Sequence, residues 1–207
     1  MRLIIIQCCA SKRGVKELFS QPRSILADLP TEASVLLEKC RKEVVQRMPT
    51  RFKSKRLTAL SMYDGALYSA EVKENITANY GVSFQLLIMS GGYGILRPDE
   101  TINEYNVNIS ETRNIWEECL PSVMQAYLSR NAVDEIDGIF SRSADYYLIA
   151  RKSKLLCGTH SFRIHWLVYH RQAAQTEVPA LQGKLLLQLI RGKLPREVDG
   201  VPVSSEL

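Results

Sequence analysis

The chain has 207 residues, of which 45% are hydrophobic and 24% charged, and its formal net charge is +5. That length holds one sizeable core, or one core plus an embellishment, and a mildly basic balance tolerates a polyanionic partner without requiring one. No run of about 20 apolar residues is present, so no membrane-spanning helix is expected. The five cysteines are odd in number and lack a secreted spacing, which points to a reducing, cytoplasmic setting.

Leu3 to Ile6 is an unbroken apolar run, expected to be a central strand over residues 2–8 rather than a leader. The loop Cys9-Ala10-Ser11-Lys12-Arg13-Gly14 follows it. Apolar positions at Leu36, Leu37, Cys40, Val44, Val45 and Met48 have helical spacing, and Pro49 ends that helix. Next come the basic run Arg51, Lys53, Lys55, Arg56 around Phe52, the turn Tyr63-Asp64-Gly65, and a helix over 69–80 closed by Gly81. A strand over 84–89 enters the glycine-rich segment Ser90-Gly91-Gly92-Tyr93-Gly94. Ser110 is expected to cap a helix over about 111–129, which Pro121 divides or restarts. A short strand, Ile136 to Phe140, ends in the loop Ser141 to Tyr147, and helical residues follow. Residues 162–168 alternate as a half-buried strand, Leu181 to Ile190 is helical, and the polar last dozen residues are expected to fray. The expected fold is a single α/β domain over 1–195, with a mixed or mostly parallel central sheet flanked by helices, and a flexible tail over 196–207.

Three strands thus end in polar loops, at Ser11/Lys12, Ser90/Gly94 and Ser141/Ser143. In a parallel sheet these loops share one edge and form a crevice. Lys12 there can hold a phosphate or stabilise negative charge, although the glycines of a phosphate-cradling P-loop are missing. Glu100 and Asp64 are candidate acids for orienting water or steadying a cationic sugar. Asn103 suits reading a base edge, and Tyr93 or Tyr105 suits stacking on it. Ser11, Ser90, Gly91 and Ser143 complete the candidate substrate-binding set. Arg51, Lys53, Lys55 and Arg56, with Arg151 and Lys152, are candidate contacts to a phosphate backbone. Each has a plain alternative: turn acids, local turn hydrogen bonds, or solvated basic helix ends and loops. All three histidines lie within 160–170 at intervals of five, which suits neither one helix face nor one strand face. Cys157 followed by His160 adds only a weak signal, so no metal and no cofactor is expected. No serine–histidine–aspartate order or nucleophile elbow stands out.

At these residues the chain resembles the YaaA family of peroxide-stress proteins. The blocks that carry the resemblance are Cys9-Ala10-Ser11-Lys12, Tyr63-Asp64-Gly65-Ala66-Leu67-Tyr68-Ser69-Ala70, and Ser90-Gly91-Gly92-Tyr93-Gly94-Ile95-Leu96-Arg97-Pro98. Glu100 stands where that family has its aspartate, Asn103 where it has glutamine, and Tyr105 at its tyrosine. Gly92, Ala70, Glu104 and Asn106 depart from the family pattern, inside the expected pocket, so the ligand can differ. The resemblance implies a mixed α/β fold and association with DNA under damage, without a defined chemistry. A fainter likeness in layout ties the chain to the uracil-DNA-glycosylase type of α/β fold.

The resulting expectation is a DNA-acting enzyme that hydrolyses the N-glycosidic bond of a modified or damaged base flipped from duplex DNA, in repair or in defence against foreign DNA. A non-catalytic DNA-binding stress protein and a nucleotide or nucleoside hydrolase are the alternatives. The oligomeric state is not legible.

Overall fold

The computed structural model describes residues 1–156, 161–168 and 177–206. Cys157, His160 and His170 therefore lie outside the described residues, and with them the expectation about a three-histidine site.

The core of the fold is a seven-stranded sheet in the order Gly94–Leu96 (β4), Gln85–Ser90 (β3), Arg2–Gln7 (β1), Glu135–Ile139 (β6), Ser161–Leu167 (β7), Val201–Glu206 (β9) and Glu197–Val198 (β8). Strands β1 (Arg2–Gln7), β3 (Gln85–Ser90), β6 (Glu135–Ile139) and β7 (Ser161–Leu167) are parallel to one another. The short strand β4 (Gly94–Leu96) runs antiparallel on β3. β1 sits between two parallel neighbours, which is why Leu3, Ile4, Ile5 and Ile6 are all fully buried. A second, two-stranded sheet pairs β2 (Phe52–Thr58) with β5 (Thr101–Tyr105) antiparallel. The basic run and the polar string after Glu100 thus form a ribbon, where the sequence suggested only loops.

Helices cover both faces of the main sheet. On one side α1 (Thr31–Arg47), α4 (Ile109–Arg130) and α5 (Asp145–Leu156) pack together. The Tyr147 ring of α5 meets Trp166 of β7 edge-on there. On the other side lie α3 (Ala70–Asn79) and α6 (Glu177–Ile190), and the Leu189 carbonyl of α6 accepts a hydrogen bond from Arg2. The short helix α2 (Ala59–Met62) links β2 to the turn at Asp64. Gly81 follows α3 with φ of 80°, the left-handed conformation expected of a helix-terminating glycine.

Three sequence expectations change. The described part of the expected tail, residues 196–206, is not loose. Within them β8 (Glu197–Val198) and β9 (Val201–Glu206) form a hairpin, and β9 pairs with β7 from Ile164–Glu206 to Leu167–Val203. Ladder hydrogen bonds and the buried Val198 hold this polar sequence, which composition alone does not reveal. α4 starts at Ile109, after an Asn108 cap whose N–H donates to Glu111 Oε2 at 2.8 Å, so Ser110 lies inside the first turn. The helix also runs through Pro121 unbroken. Finally, β7 is covered on both faces: His165, on the face expected to be wet, is buried.

Candidate functional site

The chain passes from β1 to β3 on one side and later adds β6 on the other side of β1. Ligands of open α/β sheets enter at such a switch point, outside the carboxyl ends of the strands. A crevice of about 320 Å³ opens there. It is lined by Gln7, Cys8 and Lys12 from the end of β1, by Asn108 and Ser110 from the start of α4, and by Ser143, Asp145 and Tyr146 after β6. A second crevice, of about 460 Å³, is lined by Ser11, Lys12, Arg13, Lys53, Glu104, Tyr105 and Asn106. Lys12 is common to both.

Lys12 is only 7% exposed. Its Nζ donates to the carbonyls of Cys9 at 2.9 Å and Ala10 at 3.4 Å. It also lies 4.2 Å from the centroid of the Tyr105 ring. A cation held over an aromatic face in a partly desolvated site is stabilised electrostatically. Local loop carbonyls and a distant tyrosine therefore fix this amine between the two crevices.

Tyr105 is 2% exposed, so its ring is not free to stack on a base as the sequence suggested. It stacks instead on Phe52 and meets Tyr93 edge-on. The Ser90 hydroxyl explains its orientation. Ser90 Oγ accepts the N–H groups of Gly92 at 3.2 Å and Tyr93 at 3.1 Å, lies 2.6 Å from Tyr105 OH, and Tyr105 OH lies 2.9 Å from Tyr63 OH. With two amides on Ser90 Oγ, its own proton points to Tyr105, and that of Tyr105 to Tyr63. Burial pushes both phenols well above their ordinary range, so they remain neutral. The glycines exist for this packing. A Cβ on Gly92 would sit 2.7 Å from the Tyr105 ring, and one on Gly91 would sit 2.7 Å from the Val107 carbonyl. Ser90 and Gly91 thus support the crevice wall from behind and do not line it.

Glu100 lines neither crevice. It is 4% exposed and fully engaged: it accepts from Ser24 Oγ at 2.8 Å, Ile25 N at 3.2 Å, Arg97 N at 3.3 Å and Arg41 at 2.8 Å. Arg41 also reaches the carbonyls of Tyr93 and Ile95. This carboxylate ties α1 and the loop before it to the glycine-rich segment, away from the crevice lining that the catalytic role expected for it requires. Asp99 is likewise a structural acid, paired to Arg97 at 2.8 Å. Asp64 is exposed but outside both crevices. Its carboxylate accepts Arg13 N at 3.1 Å, and although burial works against the charge, hydrogen bonds from Ser11 and Arg13 hold it below the usual range. Asn103 spends its side-chain N–H on the Lys53 carbonyl at 2.8 Å, and its backbone N–H donates to Tyr93 OH at 3.0 Å. It clips the ribbon and does not line either crevice. Tyr93 is half-buried between Arg41, Phe52 and Tyr105.

The basic residues divide. In the ribbon, Phe52 opposes Tyr105 while Arg56 opposes Asn103, so a bulge places Lys53, Ser54 and Lys55 across from the single residue Glu104. Bulges re-aim side chains; here Lys53 reaches the second crevice, where it pairs with Glu104. Arg51 and Arg56 are exposed on the same strand or its start, and Arg51 contacts Glu111 at 3.4 Å. Arg151 and Lys152 instead lie two turns along α5, and Arg151 faces Glu206 of β9 at 3.8 Å, so the second basic run does not join the first.

Gln7, Cys8, Asp145 and Tyr146 line the crevice but are not among the candidate site residues of the sequence, which offers the last two only as part of the loop Ser141 to Tyr147. Cys8 Sγ lies 3.0 Å from Tyr146 OH. Among the described residues Asp145 is the one carboxylate lining the first crevice, and Arg113 holds it at 3.1 Å. Gln7 Nε2 donates to Gln182 at 3.3 Å, and its buried Oε1 has no partner among the described residues. Position at a strand end could have flagged all four. Cys9 stays a thiol, its pKa pushed up to about 11 by burial. Among the described residues no cluster of three metal-binding side chains exists, and no helix is long and apolar enough to cross a membrane. The chain matches no family model and no curated protein.

Proposed function

We propose that the protein binds DNA across the β2–β5 ribbon and hydrolyses the N-glycosidic bond of one modified or damaged nucleotide held in the crevice between β1 and β6. The observation that carries this reading is the sharing of Lys12 by two crevices, one at the switch point and one walled by the ribbon's Lys53. A strand whose phosphates follow Lys53, Arg56 and Arg13 would present a flipped nucleotide to the first crevice. There Asp145 replaces Glu100 as the acid that orients water or steadies the oxocarbenium-like sugar. Gln7 replaces Asn103 as the amide that reads the base edge, and Lys12 meets a phosphate or the leaving base. The resemblance of the Tyr63–Ala70 and Ser90–Pro98 blocks to the YaaA family supports the DNA association. The free thiols of Cys8, Cys9, Cys40 and Cys119 suit a cytoplasmic compartment.

The test is incubation with duplex DNA carrying a panel of damaged and hypermodified bases, followed by detection of abasic sites. Abasic product that disappears in Asp145→Asn supports the reading; intact DNA across the panel removes the enzymatic part of it. The engagement of Asp145 by Arg113 favours a second reading, a non-catalytic DNA-binding protein, which predicts salt-steep binding and no product. A nucleoside hydrolase would keep its activity on free nucleosides when Lys53 and Lys55 are both changed to Glu; a DNA-directed protein would lose binding.

A further inference from the structure

On the face of the sheet that carries α6, outside the lining of both crevices, three side chains from three neighbouring strands form a hydrogen-bonded line. Asp137 of β6 is fully buried, with 0% exposure, and its Oδ1 lies 2.7 Å from His165 Nε2. His165 of β7 is 3% exposed, and its Nδ1 lies 2.6 Å from Ser205 Oγ on β9. Ser205 itself is exposed to solvent.

The direction of the protons follows from the ends. Arg2 Nε donates to Asp137 Oδ2 at 2.6 Å, and Arg163 approaches Oδ1 at 3.4 Å, so the acid is ionised and can only accept. A neutral His165 then carries its proton on Nε2, and its Nδ1 lone pair accepts the Ser205 hydroxyl. That is the relation of nucleophile, base and orienting acid in acyl transfer, built here without a nucleophile elbow and in the chain order Asp–His–Ser. The Arg163 guanidinium also pairs with Glu135 at 3.5 Å, which holds it beside the acid, and its buried Nε makes no hydrogen bond among the described residues.

We propose that Ser205 is an activated nucleophile, with His165 as its base and Asp137 as the positioning acid, that reacts with small carboxylic esters and related electrophiles reaching its exposed hydroxyl from solvent. In the step, the Ser205 Oγ–acyl bond forms as the bond to the leaving alkoxide breaks. The serine proton passes to His165 Nδ1 and from there to the leaving oxygen. Water then releases the carboxylic acid by the same route in reverse.

A fluorophosphonate probe tests this on the full chain, since Ser205 Oγ would displace fluoride while His165 takes the proton. Peptide mass mapping reads the site, and Ser204, its neighbour paired to Trp166 and lacking a histidine, is the internal control. The expected result is a single adduct at Ser205, formed at least about tenfold faster than at Ser204, lost in Ser205→Ala and slowed by about tenfold or more in His165→Gln. No adduct at Ser205, or equal rates at the two serines, overturns the proposal, and both outcomes are read in the wild-type protein even where a variant fails to fold.

Discussion

The Lys12 ammonium sits 4.2 Å from the Tyr105 ring centroid, and the ring is held there by a hydroxyl chain that starts at the Ser90 turn. The two ends of this contact have separable consequences. Tyr105→Phe leaves the cation–ring contact but strips a buried partner from Ser90 and Tyr63. It should cost about 1–3 kcal/mol in urea unfolding while DNA affinity changes little. Lys12→Met should do the reverse, with a small change in stability and a clear loss of DNA affinity together with a shallower salt dependence. Equal effects of the two changes on affinity would mean that Tyr105 does contact the ligand.

Glu100 gives the opposite kind of prediction. Its carboxylate faces the Arg41 guanidinium at 2.8 Å with almost no solvent contact. Removing one member of a buried ion pair strands the other, at a cost of about 3–5 kcal/mol. Glu100→Gln should therefore lower the thermal midpoint sharply. Once folding is corrected for, by low temperature or by counting only folded protein, any activity per molecule should be near wild type. A large loss of activity at unchanged stability would return Glu100 to the catalytic set.

How much of this was legible in the sequence depends on what kind of signal each residue leaves. The apolar run Leu3–Ile6 and the glycine after an apolar strand at Ser90 mark local structure, and both lie where expected. The convergence of Lys12 with Ser143 follows from the parallel order of β1 and β6. Glu100 marks a limit of pattern reading: a buried, arginine-paired acid and a catalytic acid look the same in sequence, and the partner, Arg41 on a helix 59 residues away, appears only in the fold. Pairing also decided the fate of β9. Val201 to Glu206 has weak alternation and a proline, and becomes a strand because β7 offers it a ladder. The Asp137–His165–Ser205 line is invisible for the same reason, since three strands must be laid side by side before the residues meet.

The glycine turn gives a packing prediction. A methyl group on Gly92 would fall 2.7 Å from Tyr105 Cδ2, and the ring behind it is fixed by Phe52 and by the hydroxyl chain. Overpacking of this kind costs about 1–3 kcal/mol. Gly92→Ala should therefore be destabilised and should also displace Lys12, weakening DNA binding. Combining it with Tyr105→Leu, which removes the clash, should recover part of the stability but not the binding. A Gly92→Ala protein as stable as wild type would show that the wall can yield.

Glu17 fastens the Lys12 loop to the body of the protein and should leave a signature in acid. Oε1 accepts Leu18 N at 2.8 Å, Ser61 Oγ at 2.8 Å and the Thr58 hydroxyl, and Oε2 accepts Thr58 N at 2.9 Å. Burial raises the carboxyl's pKa, but the donors from Thr58, Ser61 and Phe19 outweigh it and bring the value from 4.5 down to about 2. A depressed acid stabilises the fold above its unfolded value and loses that contribution as pH falls through the folded one. The window is therefore from about 4.5 down to about 2. Because the side chain is exposed, solvent screening reduces the effect to about 1–2 kcal/mol. Glu17→Gln should be destabilised by that amount near neutral pH, and the gap from wild type should close as the pH is lowered through this window. Urea titrations at several pH values measure it directly. A gap that stays constant down to the acid limit would assign the loss to altered hydrogen bonding rather than to charge.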